Sequence, residues 1–131
     1  MKRTEAREEV LGVLYAADSR KLEAVDITKI SKRASELAEG IWDDREAIDE
    51  LISHASAKWR IERMPVVDRN ILRIGVYELE NTDLSIAIVI SQAVELAKKF
   101  STARSGSFIN GILSAVAARD EGSPPGDNPE L

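Results

Sequence analysis

Two short stretches hold residue types that could grip a polyanion and stack a flat ring. In the first, Lys2, Arg3 and Arg7 open the chain and Tyr15 follows. Arg7, Leu11 and Tyr15 climb in four-residue steps, so on a helix Arg7 and Tyr15 share a flank. In the second, Lys98, Lys99 and Arg104 occur with no acidic residue between them, and Ser105-Gly106-Ser107 and then Phe108 follow. A helix starting at Ser105 offers unpaired N–H groups at its positive dipole end. Cations and amides hold phosphates, and an aromatic face stacks an unpaired base for about 1–3 kcal/mol. Arg3, Arg7, Tyr15, Lys99, Arg104, Ser105, Ser107 and Phe108 are therefore the candidate contacts to single-stranded RNA. Each part also has a simpler reading. Phe108 fits a core position equally well, and Lys98–Lys99 fit a solvated helix end favoured by the dipole.

Catalytic chemistry is poorly supplied. The chain has no cysteine and a single histidine, His54, so thiol chemistry, a disulfide scaffold and a histidine-rich metal site are all excluded. His54 reads as a structural or surface residue, and neither a metal nor a cofactor is expected. Gly106 and Gly111 lack the spacing of a phosphate-cradling loop. No nucleophile-elbow motif supports a Ser–His–Asp triad. The acidic pairs Asp43–Asp44 and Glu8–Glu9 fit polar helix surfaces.

The elements that must position the two stretches are helical. Ala6, Val10, Val13, Leu14 and Ala17 form one stripe; Ile27, Ile30, Ala34, Leu37, Ala38 and Ile41 a second; Ile48, Leu51, Ile52, Ala55 and Trp59 a third. Asp26 is the expected N-cap of the second helix, and Asp43 with Glu46 the expected capping box of the third. Pro65 reads as the first residue of a fourth helix, rich enough in Val, Ile and Leu to be the buried centre. Gly75 either admits a close neighbour or is merely tolerated there. A fifth helix capped by Ser85 buries Ile86, Val89, Ile90, Ala93, Ala97 and Phe100. A sixth, from about Ser105, turns Phe108, Ile109, Ile112, Leu113 and Val116 inward. The expected fold class is all-α, with six or seven helices and short loops.

The 131 residues make one domain, with 44% hydrophobic residues to fill its core. Residues 1–118 are expected to fold. Residues 119–131 hold three of the four prolines and read as an acidic, disordered Pro/Gly-rich tail. With 18 basic and 23 acidic side chains the net charge is −5, so binding to nucleic acid by bulk charge is excluded and only a local basic patch remains. The start lacks the apolar segment of a signal peptide, and no apolar run approaches a membrane span, so a cytoplasmic location away from the membrane is expected.

Three runs taken in order carry a family resemblance: Asp68-Arg-Asn-Ile-Leu-Arg-Ile-Gly-Val-Tyr-Glu-Leu79, Ile90-Ser-Gln-Ala-Val-Glu-Leu-Ala-Lys-Lys-Phe100 and Ser105-Gly-Ser-Phe-Ile-Asn-Gly-Ile-Leu113. With Ala6-Arg7-Glu8 and Leu14-Tyr15 ahead of them, they span about residues 6 to 117 and resemble the bacterial transcription antitermination family NusB. The resemblance implies two small helical subdomains and a role without catalysis. It implies binding to the boxA element of nascent ribosomal RNA together with the small-subunit ribosomal protein NusE. That complex would join elongating RNA polymerase and other Nus factors and suppress premature termination. Carried over by position, Arg7, Tyr15 and Phe108 would face RNA and Asp68 the ribosomal protein. Arg69 and Arg73 could extend that partner surface; the strip Arg69, Arg73, Tyr77 and Glu80 is either this surface or the helix's only wet side. Departures are a sparser basic start, Ser91-Gln92 in place of an acidic pair, Arg104 where relatives often carry an acid, and Ser114 in place of Asp. A protein-only helical adaptor or homodimer with weak RNA binding is the alternative. The same fold serves as the RNA-binding domain of a ribosomal RNA cytosine methyltransferase, but this length leaves no room for a cofactor-binding domain, so no enzyme is expected.

Overall fold

The structure, a computed structural model, describes residues 3–56 and 59–121, with side chains to residue 119. Six α-helices follow one another: α1 (Arg3–Ser19), α2 (Lys32–Asp43), α3 (Arg45–Ala55), α4 (Val66–Asn81), α5 (Ile86–Phe100) and α6 (Ser105–Glu121). A single 3-10 turn, Ile61–Arg63, precedes α4, and no strand occurs among the described residues. The all-α expectation holds. Lys2 and residues 122–131 lie outside the described residues. α6 runs through Glu121, so residues 119–121, expected in the tail, are helical.

α4 is the hub. It packs against each of the other five helices, while α5 and α6 pack on one another and α2 joins α1 to α3. The apolar residues explain this: Ile71, Leu72, Ile74 and Val76 on α4 are all at most 1% exposed. They meet Leu14 of α1, Ile41 of α2, Ile52 of α3, Leu96 of α5 and Leu113 of α6 in one continuous core. Close approach of α4 and α6 depends on Gly75. A Cβ there would sit 2.7 Å from Leu113 Cδ1 and 2.9 Å from Cδ2, so Gly75 admits a neighbour rather than being tolerated.

Local chemistry corrects several helix boundaries. α2 starts at Lys32, five residues later than an Asp26 cap would give, because Ser31 Oγ accepts from the Ala34 N–H at 3.1 Å. Asp26 instead closes a turn, accepting from the Thr28 N–H and hydroxyl at 3.0 and 2.7 Å. Ser31 is also tied to α1, since its hydroxyl donates to Glu9 Oε1 at 2.9 Å. The Asp43–Glu46 capping box does not form; Asp43 is still the last residue of α2, and Asp44 precedes α3 without a side-chain cap. Pro65 is the N-cap of α4 rather than its first residue. Ser85 caps α5 as expected, accepting from the Ile88 N–H at 3.2 Å. Trp59 and Phe100 are not core: α3 stops at Ala55, and the two rings are 55% and 44% exposed.

Candidate functional site

The start of α6 is held from below by α4. Asp68, in the first turn of α4, is 4% exposed. Its carboxylate accepts from the Ser101 hydroxyl at 2.5 Å and from the Ser105 hydroxyl at 2.9 Å. Ser105 is 5% exposed and also lies 3.0 Å from Thr102 Oγ1. Against the sequence expectation of open surface contacts, both side chains are buried and Ser105 donates to Asp68 inside the fold. Their work is to fix the α5–α6 joint, on which Arg104, Ser107 and Phe108 sit.

A charged network likewise absorbs Arg69 and Arg73. Arg69 forks onto Asp18, with Nε and Nη2 each 2.7 Å from a carboxylate oxygen. Asn70 Nδ2 and Arg73 Nη1 each donate to the same carboxylate at 2.9 Å. Arg73 also makes a two-pronged pair with Asp49 at 2.8 Å per prong. The Arg69 and Arg73 side chains are only 16% and 8% exposed. Against the expectation of an open surface, both side chains form an interior clamp, which ties the end of α1 and the middle of α3 to α4. Burial works to raise the Asp18 pKa, but hydrogen bonds from Arg69 and Asn70 and the charges of Arg73 and Arg69 outweigh it. The carboxyl is therefore held below its ordinary value.

Arg7, expected to face RNA, is drawn inward as well. It is 2% exposed, and its Nε donates to Glu78 Oε1 at 2.8 Å. Leu14 and Val10 share its side of α1, so the guanidinium is drawn into the α1–α4 seam. Nearby, Lys99 Nζ lies 2.8 Å from Glu8 Oε2 and bridges α5 to α1. Lys98 is 3.6 Å from Glu95. Thus Lys99 stays on the surface, but acidic side chains partly neutralise this part of the basic run.

The remaining candidates divide between two ends of the bundle. Asp18 meets Arg69 at one end of α1, and Arg7 meets Glu78 toward the other. Arg3 is exposed at the Arg7 end, where it lines a recess with Arg33, Glu36 and Tyr77. Tyr15, 46% exposed, lies one turn from Asp18 and so belongs to the opposite end. Arg104 and Ser107 are exposed and Phe108 is half-buried at that same end, where Asp68 anchors Ser105. Sequence reasoning missed two rings there. Trp59 stands edge-on to Phe108, with centroids 6.3 Å apart and planes at 84°. Phe100 lies on the surface with the Lys99 ammonium 5.4 Å from its ring centre. The chain has six aromatic residues, and Tyr15, Trp59 and Phe100 are three exposed ones. These rings leave faces open to solvent beside cations instead of filling the core. Lys58 and Arg60 on either side of Trp59 were the available signal.

His54 is exposed on α3, and its Nδ1 lies 2.9 Å from the Glu50 carbonyl. No group of three or more His, Cys, Asp or Glu side chains suited to a metal ion occurs among the described residues. No helix among them is long and apolar enough to cross a membrane.

Comparison with known proteins agrees with this architecture. The NusB family profile matches residues 4–118. The transcription antitermination protein NusB of Acidothermus cellulolyticus is 39% identical over 142 aligned positions, covering 98% of each chain. That of Nitratiruptor is 46% identical, covering 88% of this chain and 91% of its own. Thermotoga maritima NusB superposes with a TM-score of 0.74 at 37% identity, over 89% of this chain and 91% of its own. A chain in a structure described as the crystal structure of a plectonemic RNA supercoil gives the same TM-score at 31% identity, over 87% and 92%. Fold and relatives define an all-α protein of the transcription antitermination class. The chain belongs to the NusB family.

Proposed function

We propose that this chain binds boxA-type single-stranded RNA in nascent ribosomal transcripts together with the ribosomal protein NusE. In this reading it carries that RNA into the antitermination complex of RNA polymerase and other Nus factors. The observation behind it is the set of exposed or half-buried aromatic, cationic and polar side chains Tyr15, Phe108, Arg104, Ser107 and Lys99, carried on and between α1, α5 and α6, which all pack against α4. Rings offer stacking faces and the cations meet phosphates. The relative found in an RNA-containing structure supports the same choice of ligand. The role needs no catalytic group; the chain acts by assembly.

The burial of Arg7 and the Lys99–Glu8 pair take two of the expected cations out of direct phosphate contact. Intrinsic affinity is accordingly low, and NusE supplies the rest by holding the RNA from the other side. A gel-shift titration with boxA RNA, with and without NusE, tests this. Weak binding alone, strengthened by NusE and falling with salt, is expected. NusE binding indifferent to RNA would instead make the chain a protein-only adaptor or homodimer.

A further inference from the structure

Trp59 belongs to no helix and no core. It follows α3, ahead of the 3-10 turn, and more than half of its surface faces solvent. Its edge-to-face contact with Phe108 closes one wall of a recess that Met64, Pro65, Thr102 and Arg104 complete. The recess is about 190 Å3. That is smaller than the roughly 300–1,000 Å3 of sites for drug-sized molecules, and suits one planar ring.

We propose that this recess is a base slot: one unpaired RNA base inserts beside Trp59 and Phe108 while Arg104 holds its phosphate. The proposal rests on the RNA-binding reading above and adds Trp59 as a residue that sets where the strand is held. Three features choose this occupant. The walls are ring faces and apolar side chains, which favour a flat, neutral group. The lining includes the buried Asp68 carboxylate, which disfavours an anion inside the recess. It also includes Arg104, which is exposed and so meets an anion from the solvent side. A base with its attached phosphate satisfies all three, whereas a free phosphate satisfies only the last. Arg60 and Arg63, one and four residues after Trp59 in the sequence, are both exposed.

The two tryptophans make the slot measurable. Trp42 is 5% exposed and its Nε1–H donates to the Glu23 carbonyl at 2.9 Å, so only Trp59 is open to a ligand. In the full chain with NusE present, boxA RNA should quench the emission of a Trp42→Phe variant. Trp59→Ala should weaken RNA binding roughly tenfold, while Trp59→Phe should recover most of the loss. An RNA with one abasic position should bind wild type more weakly and Trp59→Ala no more weakly still, because the two changes remove one contact. Three outcomes overturn the slot. Trp59→Ala binding RNA like wild type, while Phe108→Ala binds it more weakly, removes the slot and leaves RNA binding standing. Trp59→Ala losing NusE in the absence of RNA makes the recess a protein contact. No RNA binding by wild type with NusE removes the slot and the broader reading together.

Discussion

Arg7 and Glu78 meet at 2.8 Å across 71 residues of sequence, with side chains only 2% and 3% exposed. This pair joins α1 to the hub helix. It explains why an arginine near the chain start, although well placed in sequence for RNA, is held inside.

Breaking this pair on one side should destabilise the fold. Arg7→Ala leaves Glu78 buried and charged, at a cost of about 3–5 kcal/mol. Replacing both, as Arg7→Met with Glu78→Leu, should restore most of that stability, and RNA binding should return with it. Urea unfolding combined with the gel-shift titration checks this. A stably folded double variant that has lost RNA binding would show that the guanidinium itself contacts RNA.

Asp18 should give the stability curve an acid limb. Its folded pKa lies below the ordinary 3.8, so the unfolded chain takes up a proton first as pH falls. Its stabilising contribution is whole well above 3.8 and drains away as pH drops through that value toward the lower folded pKa. Asp18→Asn should be less stable at neutral pH and should show a shallower decline in acid. Thermal unfolding from pH 7 down to pH 2 reads both effects.

At Gly75 the contact with Leu113 predicts overpacking. Gly75→Ala should cost about 1–3 kcal/mol despite the better helix propensity of alanine. Adding Leu113→Val should recover part of it by opening space on α6. Chemical denaturation of the three variants decides, and a Gly75→Ala chain more stable than wild type would show that Leu113 moves aside freely.

Arg104 is exposed, so charge reversal there should leave the fold intact. Arg104→Glu should weaken boxA binding several-fold at matched salt and lower the salt slope by about one counterion. Equal affinity for both proteins across a salt series would dismiss the phosphate contact.

Most of the fold was legible in the sequence because helical periodicity is a local property. The stripes on α1, α4 and α6 fell where the core lies, as did the middle of the α5 stripe, while Phe100 at its end turned outward. Boundaries failed where two capping residues competed: Asp26 and Ser31 can each start a helix, and only tertiary contact with Glu9 favours Ser31. The candidate site was legible in residue type more than in exposure. Nothing local distinguishes Arg7, buried against a glutamate 71 residues away, from Arg3, which stays outside. Asp68, Arg69 and Arg73 were absorbed by partners at positions 18, 49, 101 and 105, which become neighbours only on folding. Trp59 was assigned to the core by extending a helical stripe past the true end of α3.

Hydrogen exchange on the chain bound to NusE, before and after adding boxA RNA, tests the central claim most directly. RNA should slow exchange around Tyr15 and over residues 100–109, leaving α2 and α3 unchanged. Protection confined to α2 and α3, or none anywhere while RNA is bound, would contradict the assignment of this end of the bundle to RNA.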